Sequence, residues 1–339
     1  MKVLLQKLTE GKDLTMDEAF NAILTIMKNE SDPAMTGAFL TALAIKGETP
    51  DEIVGAAKAM MEVAEIQDFN EEILDIVGTG GDRSFSFNIS SVSSLVIASC
   101  GVKVAKHGNR SVSSKCGSAD LFEALGVKFD FNSKYASDVL AKAGIVFLFA
   151  PVYHKAMRFV GPIRKALGIK TIYNIMGPLI NPMDAKYMVL GVYKKELVNV
   201  VANVLLKKGI KRAMVVYGLD GVDEISMADN TYVNEIVDGN IIEYEIDPRN
   251  YGFNLCKHDD LVGGDPLVNK QIALDIFNGK KGPKRDVVIL NAACAIHIYK
   301  NISIEDAIKE ATNAIDSGLV LKTLEKFVEA TNDLRWNIS

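Results

Sequence analysis

The sequence predicts an α/β protein in which a small all-helical domain precedes a larger domain on a mostly parallel sheet. Three observations lead there. The chain has 339 residues, more than the ~250–300 at which one core usually stops growing, so two domains are expected. Residues 1–65 carry helical patterning throughout, with no strand-like run before residue 72. Beyond that point short apolar runs alternate with amphipathic helices, the pattern of βαβ units. The expected division is 1–70 for the small domain and 71–339 for the large one.

Each element has its own signal. Thr15 with Glu18, and Thr49-Pro50 with Glu52, are capping-box helix starts. AFNAILTIMKN and EIVGAAKAMMEVA repeat apolar residues at helical spacing. EEILDIVGTGG reads as a strand running into a glycine turn, and SSVSSLVIASCG as a helix that Gly101 ends. VKVAKHG, IVFLFA, YMVLGVY and RAMVVYG are further strands; SADLFEALG, YASDVLAKAG and KELVNVVANVLLKKG are the helices between them. Asp238-Gly239 marks a hairpin turn within TYVNEIVDGNIIEYEI. The chain is helical again from 265. Residues 154–182 hold an amphipathic helix with no clear strand after it, and part of this segment is expected beside the N-terminal helices.

Composition excludes several classes. A net charge of −5 argues against general binding to a nucleic-acid backbone, which needs a basic face, while leaving room for a local cationic pocket. The longest apolar run, AGIVFLFAPV, is too short for a membrane helix, and MKVLLQKLTEGKD has no signal-peptide pattern. Four cysteines without a CxxC pair fit free thiols in a reducing compartment, so a cytoplasmic protein is expected.

Four segments carry chemistry. Gly78-Thr79-Gly80-Gly81-Asp82 follows a strand and leads to a helix N-terminus at Asn88-Ile89-Ser90-Ser91. Bare backbone N–H groups there suit a phosphate, although the segment is neither a P-loop nor a GxGxxG fingerprint. Lys106-His107-Gly108-Asn109-Arg110-Ser111-Val112-Ser113-Ser114, then Gly117-Ser118, again lies between strand and helix and reads as a second phosphate-binding loop. Asp220, Asp223 and Glu224 place three carboxylates in five residues, a concentration that a hard divalent cation with substrate phosphates would relieve. Arg164, on the helix of GPIRKALG, is able to hold a carboxylate through both oxygens.

In this order, DIVGTGGD…FNIS, KHGNRSVSSKCGSADLFEALG, APVYHKAM, GPIRKALGIKTIYNIMGPLINP, DGVDE and LNAACAIHIY…AIDSG resemble the anthranilate phosphoribosyltransferases over nearly the whole chain. The resemblance implies the two-part fold shared with pyrimidine nucleoside phosphorylases and a homodimer formed through the small domain. It also implies transfer of the 5-phosphoribosyl group from phosphoribosyl pyrophosphate (PRPP) to the amine of anthranilate, in tryptophan biosynthesis.

Carried over by position, Gly78, Gly81, Asp82, Ser86, Asn88, Ile89, Ser90 and Ser91 match the family's PRPP loop. Lys106, His107, Gly108, Asn109, Arg110, Ser111, Val112, Ser113, Ser114 and Ser118 match further PRPP contacts. Gly78, Asn109 and Arg164 match anthranilate contacts. Ser90, Asp223 and Glu224 match ligands of Mg²⁺, of which the resemblance implies two ions per subunit with PRPP. His107 is the one candidate proton acceptor. The chain departs from the family at Arg83, Ser86, Ser91, Lys155, Tyr217 and Val268. A nucleoside phosphorylase is the nearest rival but has no need of the DGVDE acids. A nucleic-acid-binding relative should have lost them.

Overall fold

A computed structural model describes residues 1–66, 69, 71–82, 84–111 and 115–333. Helices α1 (Lys2–Thr9), α2 (Met16–Met27), α3 (Pro33–Lys46) and α4 (Pro50–Glu62) form the N-terminal helical part. Both expected capping boxes are present: the Thr15 and Thr49 hydroxyls accept from the N–H groups of Glu18 and Glu52. Glu52 goes further. It is fully buried, and its carboxylate accepts from the Leu14 and Thr49 N–H groups and from Lys46 Nζ at 2.8–2.9 Å. One carboxylate thus closes three helix ends around the α2–α4 core.

The chain then enters the sheet through β1 (Leu74–Gly78), α5 (Ile89–Ser99), β2 (Val104–Gly108), α6 (Ser118–Ala124), α7 (Ala136–Ala143) and β3 (Ile145–Phe149). Three helices follow, α8 (Ala150–Tyr153), α9 (Met157–Leu167) and α10 (Tyr173–Met176), with no strand until β4 (Tyr187–Gly191). Next come α11 (Glu196–Lys207), β5 (Arg212–Gly218), β6 (Thr231–Val237) and β7 (Asn240–Ile246), then α12 (Pro266–Phe277), α13 (Pro283–Lys300), α14 (Ile304–Asp316) and α15 (Leu319–Asn332).

The sheet order is β3-β2-β1-β4-β5-β6-β7. Strands β1 to β5 run parallel, and β6 and β7 add an antiparallel edge. Its turn holds Asp238 and Gly239 at φ 49° and 77°, both left-handed, as a tight hairpin requires. The apolar helices α5 and α13 pack together against the sheet, which explains why ISSVSSLVIAS is buried almost throughout. No single helix among the described residues is long and apolar enough to cross a membrane.

Helix α9 packs against α2 and α3, so this part of residues 154–182 does sit beside the N-terminal helices. Helix α11 packs on α4, and Lys207 pairs with Asp51 at 2.7 Å across that contact.

Candidate active site

The sheet order reverses between β1 and β4. Chain excursions leave in opposite directions there and open a crevice at the strands' carboxyl ends. Gly78 and Gly191 are register partners at those two ends. The turn after β5 crosses directly above them. A Cβ on Gly191 would lie 1.6 Å from the Asp223 carbonyl oxygen, and one on Gly78 would lie 2.4 Å from Asp223 Oδ2. Both positions need glycine because Asp223 occupies the space of a side chain.

The glycine loop closes over the same carboxylate. Gly80 and Gly81 both have positive φ, 71° and 78°, a pair of left-handed residues that side chains would strain. In that conformation Gly80 N–H donates to Asp223 Oδ2 at 2.5 Å. Asp82 follows at once; burial, with the charges of Asp82 and Glu224 added to it, holds the Asp223 carboxyl well above the usual range. Burial pushes Glu224 up to about 7 against the pull of the Lys106 ammonium.

Glu224 reaches α5, where Ser90 N–H donates to its Oε1 at 3.3 Å. Buried Lys106 on β2 donates to the Ile76 carbonyl at 2.6 Å and to Ser90 Oγ at 3.3 Å. Burial lowers its pKa, opposed by Asp75, Glu224 and Asp223. Four of the expected residues, Ser90, Lys106, Asp223 and Glu224, therefore meet in one cluster with Gly78 and Asp82. Ile89 and Ser91 are buried in the same first turn of α5. Ser86 Oγ accepts from Ser84 Oγ at 3.1 Å, and Ser84 N–H donates to Asp82 Oδ1, which braces the loop.

Beside it, Ser118 Oγ donates to the Asn109 carbonyl, and Gly108 lies so close that a Cβ would meet Ser118 Oγ at 2.3 Å. Ser111 N–H donates to Asp120 Oδ2. Val112, Ser113 and Ser114, together with the departure at Arg83, lie outside the described residues.

Three of the residues singled out in the sequence have partners the sequence did not indicate. Asp220 does not join the other two acids: its carboxyl is turned to Ser226, and Asp82 takes the third place. The Arg110 guanidinium is held by Asp120 and Glu123 at 2.8–3.0 Å, over the Phe129 and Phe149 rings. His107 points to the opposite face of β2 from Lys106, as strand alternation dictates. Its Nδ1 donates to the Gly177 carbonyl at 2.9 Å, and burial holds its pKa down at about 3. That is too weak a base to hold an amine proton at neutral pH.

Arg164 lies apart from the cluster, on α9. Its guanidinium sits over the Tyr173 ring, 5.5 Å from the centroid, and has no ion pair among the described residues. The buried hydroxyls of Tyr173 and Thr171 likewise have no hydrogen-bond partner among those residues. Lys170, from the same segment, reaches the glycine loop and donates to the Gly81 carbonyl at 3.3 Å.

Sequence reasoning missed Asp75 and Asn181. Asp75 is fully buried; Asn181 Nδ2 donates to its Oδ2 at 2.8 Å, and burial raises its pKa to about 6. An acid in the middle of the apolar strand ILDIV was the available signal. Asn181 Nδ2 also donates to the Ala105 carbonyl, which locks GPLINP beneath β1 and β2.

A glycine-rich loop, a buried lysine and paired carboxylates at the switch point of a mostly parallel sheet, beside a helical bundle, are the parts of a transferase that handles a phosphorylated substrate. The comparisons agree. The helical bundle domain of the glycosyl transferase family matches residues 2–64, and its a/b domain matches residues 70–321. The anthranilate phosphoribosyltransferase of Methanobrevibacter smithii is 50% identical over 333 residues, 98% of this chain and 99% of that protein. That of Acetivibrio thermocellus is 49% identical over 334 residues, 98% and 97%. The Thermus thermophilus enzyme superimposes with a TM-score of 0.92 at 36% identity, covering 97% of this chain and 99% of that one. The Saccharomyces cerevisiae enzyme in complex with PRPP and Mg gives 0.90 at 29% identity and 98% of each chain. The chain belongs to the anthranilate phosphoribosyltransferase family.

Proposed function

We propose that this chain transfers the 5-phosphoribosyl group of PRPP to the amine of anthranilate, releasing pyrophosphate. The observation that carries the reading is the convergence of Ser90, Lys106, Asp223 and Glu224 over Gly78 and Gly191. One buried cation, a glycine-rich loop and two acids with raised pKa values suit a phosphate-rich substrate bound with a divalent cation.

The residues fit Mg²⁺. No set of three His, Cys, Asp or Glu side chains among the described residues is arranged to hold a metal alone. Mg²⁺ commonly takes one or two carboxylates and completes its shell with water and phosphate oxygens. Asp223, Glu224 and the Ser90 hydroxyl would hold it here, and when bound it neutralises charge on the pyrophosphate. A bound cation would also offset the mutual repulsion of the two carboxylates.

The chain's own residues bind and orient. The N–H groups of the glycine loop and of the first turn of α5, with Lys106, fix the phosphates. Asn109, Ser111 and Ser118 bound the second side of the ribose phosphate. Arg164 holds the anthranilate carboxylate, with the Tyr173 hydroxyl as a second donor, and Gly78 and Asn109 bound its ring. The amine lone pair then forms the bond to ribose C1, the C1–O bond breaks, and its electron pair departs with pyrophosphate. The arylamine is neutral at pH 7, so its lone pair is available before any proton is removed; the N–H proton leaves afterwards to solvent or pyrophosphate.

The reading includes the division at residue 70 and a homodimer through the helical domain. Val3 on α1 and Ile45 on α3 support the latter: they are 78% and 81% exposed, and their helices pack together. Sedimentation of the purified protein tests it.

The test of the reaction is the decay of anthranilate fluorescence on mixing the protein with PRPP and Mg²⁺. A decay that needs both and stops with EDTA supports the proposal. No decay in a folded sample overturns the choice of acceptor.

A further inference from the structure

We infer that Asn269, on α12 and outside the phosphate loops, is a positioning residue that holds the PRPP loop in its binding shape through Asn88. The inference rests on the assignment of that loop to PRPP.

Residues 258–269 run along the outer side of the loop as a strap. Ser86 and Val262 form an antiparallel bridge. Gly263 N–H donates to the Phe85 carbonyl and Phe87 N–H to the Leu261 carbonyl, both at 3.0 Å. The contact admits no side chain: a Cβ on Gly263 would meet Phe87 Cα at 2.7 Å and Asn269 Oδ1 at 2.7 Å.

Asn269 is 2% exposed and sits where the strap turns into α12. Its Oδ1 accepts from Gly264 N–H at 2.7 Å, and its Nδ2 donates to Asn88 Oδ1 at 2.8 Å. Asn88 Nδ2 donates in turn to the Cys116 carbonyl at 3.0 Å. The chain of bonds has one direction. A peptide carbonyl only accepts, so Asn88 must face Cys116 with its NH₂ and Asn269 with its oxygen. A peptide N–H only donates, so Asn269 must face Gly264 with its oxygen. Turning either amide over breaks two bonds at once.

The consequence is mechanical. Asn88 precedes the first turn of α5, where Ser90 N–H reaches Glu224, and Cys116 closes the second phosphate loop. Asn269 therefore ties both loops to α12 without touching substrate. Without it the loops keep their residues but lose their fixed spacing, which weakens binding of the ligand that spans them.

The test is a double-mutant cycle read by separate KM values. Asn269→Ala should raise the PRPP KM about five- to tenfold, the loss of one buried hydrogen-bond link, with the anthranilate KM unchanged. Asn88→Ala should raise the PRPP KM as well, and the double variant should be no worse than Asn88→Ala, because both act through one link. A wild-type PRPP KM in Asn269→Ala, or effects that multiply in the double variant, overturns the inference. If Asn269→Ala fails to fold, Asn269→Asp replaces it: it keeps the bond from Gly264 and the side-chain size but loses the donation to Asn88. A wild-type PRPP KM there is equally fatal. A wild-type PRPP KM in Asn88→Ala itself would sink the loop assignment, and this inference with it.

Discussion

Gly191 and Asp223 share one volume: a Cβ at Gly191 would lie 1.6 Å from the Asp223 carbonyl oxygen and 2.3 Å from its carbonyl carbon. These are backbone atoms, so the clash has no side-chain rotation to relieve it. The end of β4 thereby sets the height of the Asp223–Glu224 pair above the sheet.

Gly191→Ala should push the turn at 221–224 outward. Overpacking of this kind costs about 1–3 kcal/mol, read as a shift in the urea midpoint, and turnover should fall with it. Gly161→Ala in α9 is the control. A Cβ there meets nothing within 4 Å, so stability should stay equal or rise by up to about 1 kcal/mol. Equal stability of the two variants would show that β4 does not fix the carboxylates.

Glu224→Gln removes one of the two acids while keeping its size. Turnover should drop and the response to added Mg²⁺ should flatten. A rate within about threefold of wild type, under ~1 kcal/mol of barrier, would remove Glu224 from the metal assignment. Stripping the wild type with EDTA should mimic the variant, and excess Mg²⁺ should restore only the wild type.

Arg164→Ala should raise the anthranilate KM far more than the PRPP KM, by on the order of tenfold or more for a lost charged hydrogen bond. The reason is placement: the guanidinium lies against Tyr173 on α9, away from the Lys106 cluster. Equal increases in both KM values would take away its role as the carboxylate holder.

His154 should make the fold acid-sensitive. It is buried with Nε2 donating to the Ile180 carbonyl at 2.9 Å, and burial lowers its pKa from 6.5 to about 4. A histidine with a depressed folded pKa leaves stability intact above the unfolded value. Stability is lost as pH falls from about 6.5 towards 4, because only the unfolded chain takes the proton there. His154→Gln keeps a donor for Ile180 and does not titrate. Between pH 8 and pH 5 the wild type should lose on the order of 2 kcal/mol more than this variant in urea unfolding. Parallel pH profiles would refute the claim.

Much of the site was legible because its parts are local. A strand that ends in GTGGD announces a turn, and KHGN after the next strand announces another, whatever the rest of the chain does. The partners of Arg110, Asp220 and His107 were not legible for one reason: a residue's type and position in a loop do not say which way it faces or which neighbour claims it. Arg110 is claimed by Asp120 and Glu123, ten and thirteen residues on. Asp75 was passed over because a lone acid in a strand acquires meaning only once Lys106 and Asn181 are known to flank it.

By itself the sequence determined the helical start, the strand–helix alternation and the two loops at the ends of β1 and β2, since periodicity, capping and glycine turns act over a few residues. Only the tertiary structure decided that β1 and β4 are neighbours. From that pairing follow the crevice, the seat of Asp223 above two glycines, and the meeting of Ser90, Lys106 and Glu224. Such contacts span more than a hundred residues, Ser90 to Glu224 among them. They are set by how the sheet is ordered and packed, which no local pattern encodes.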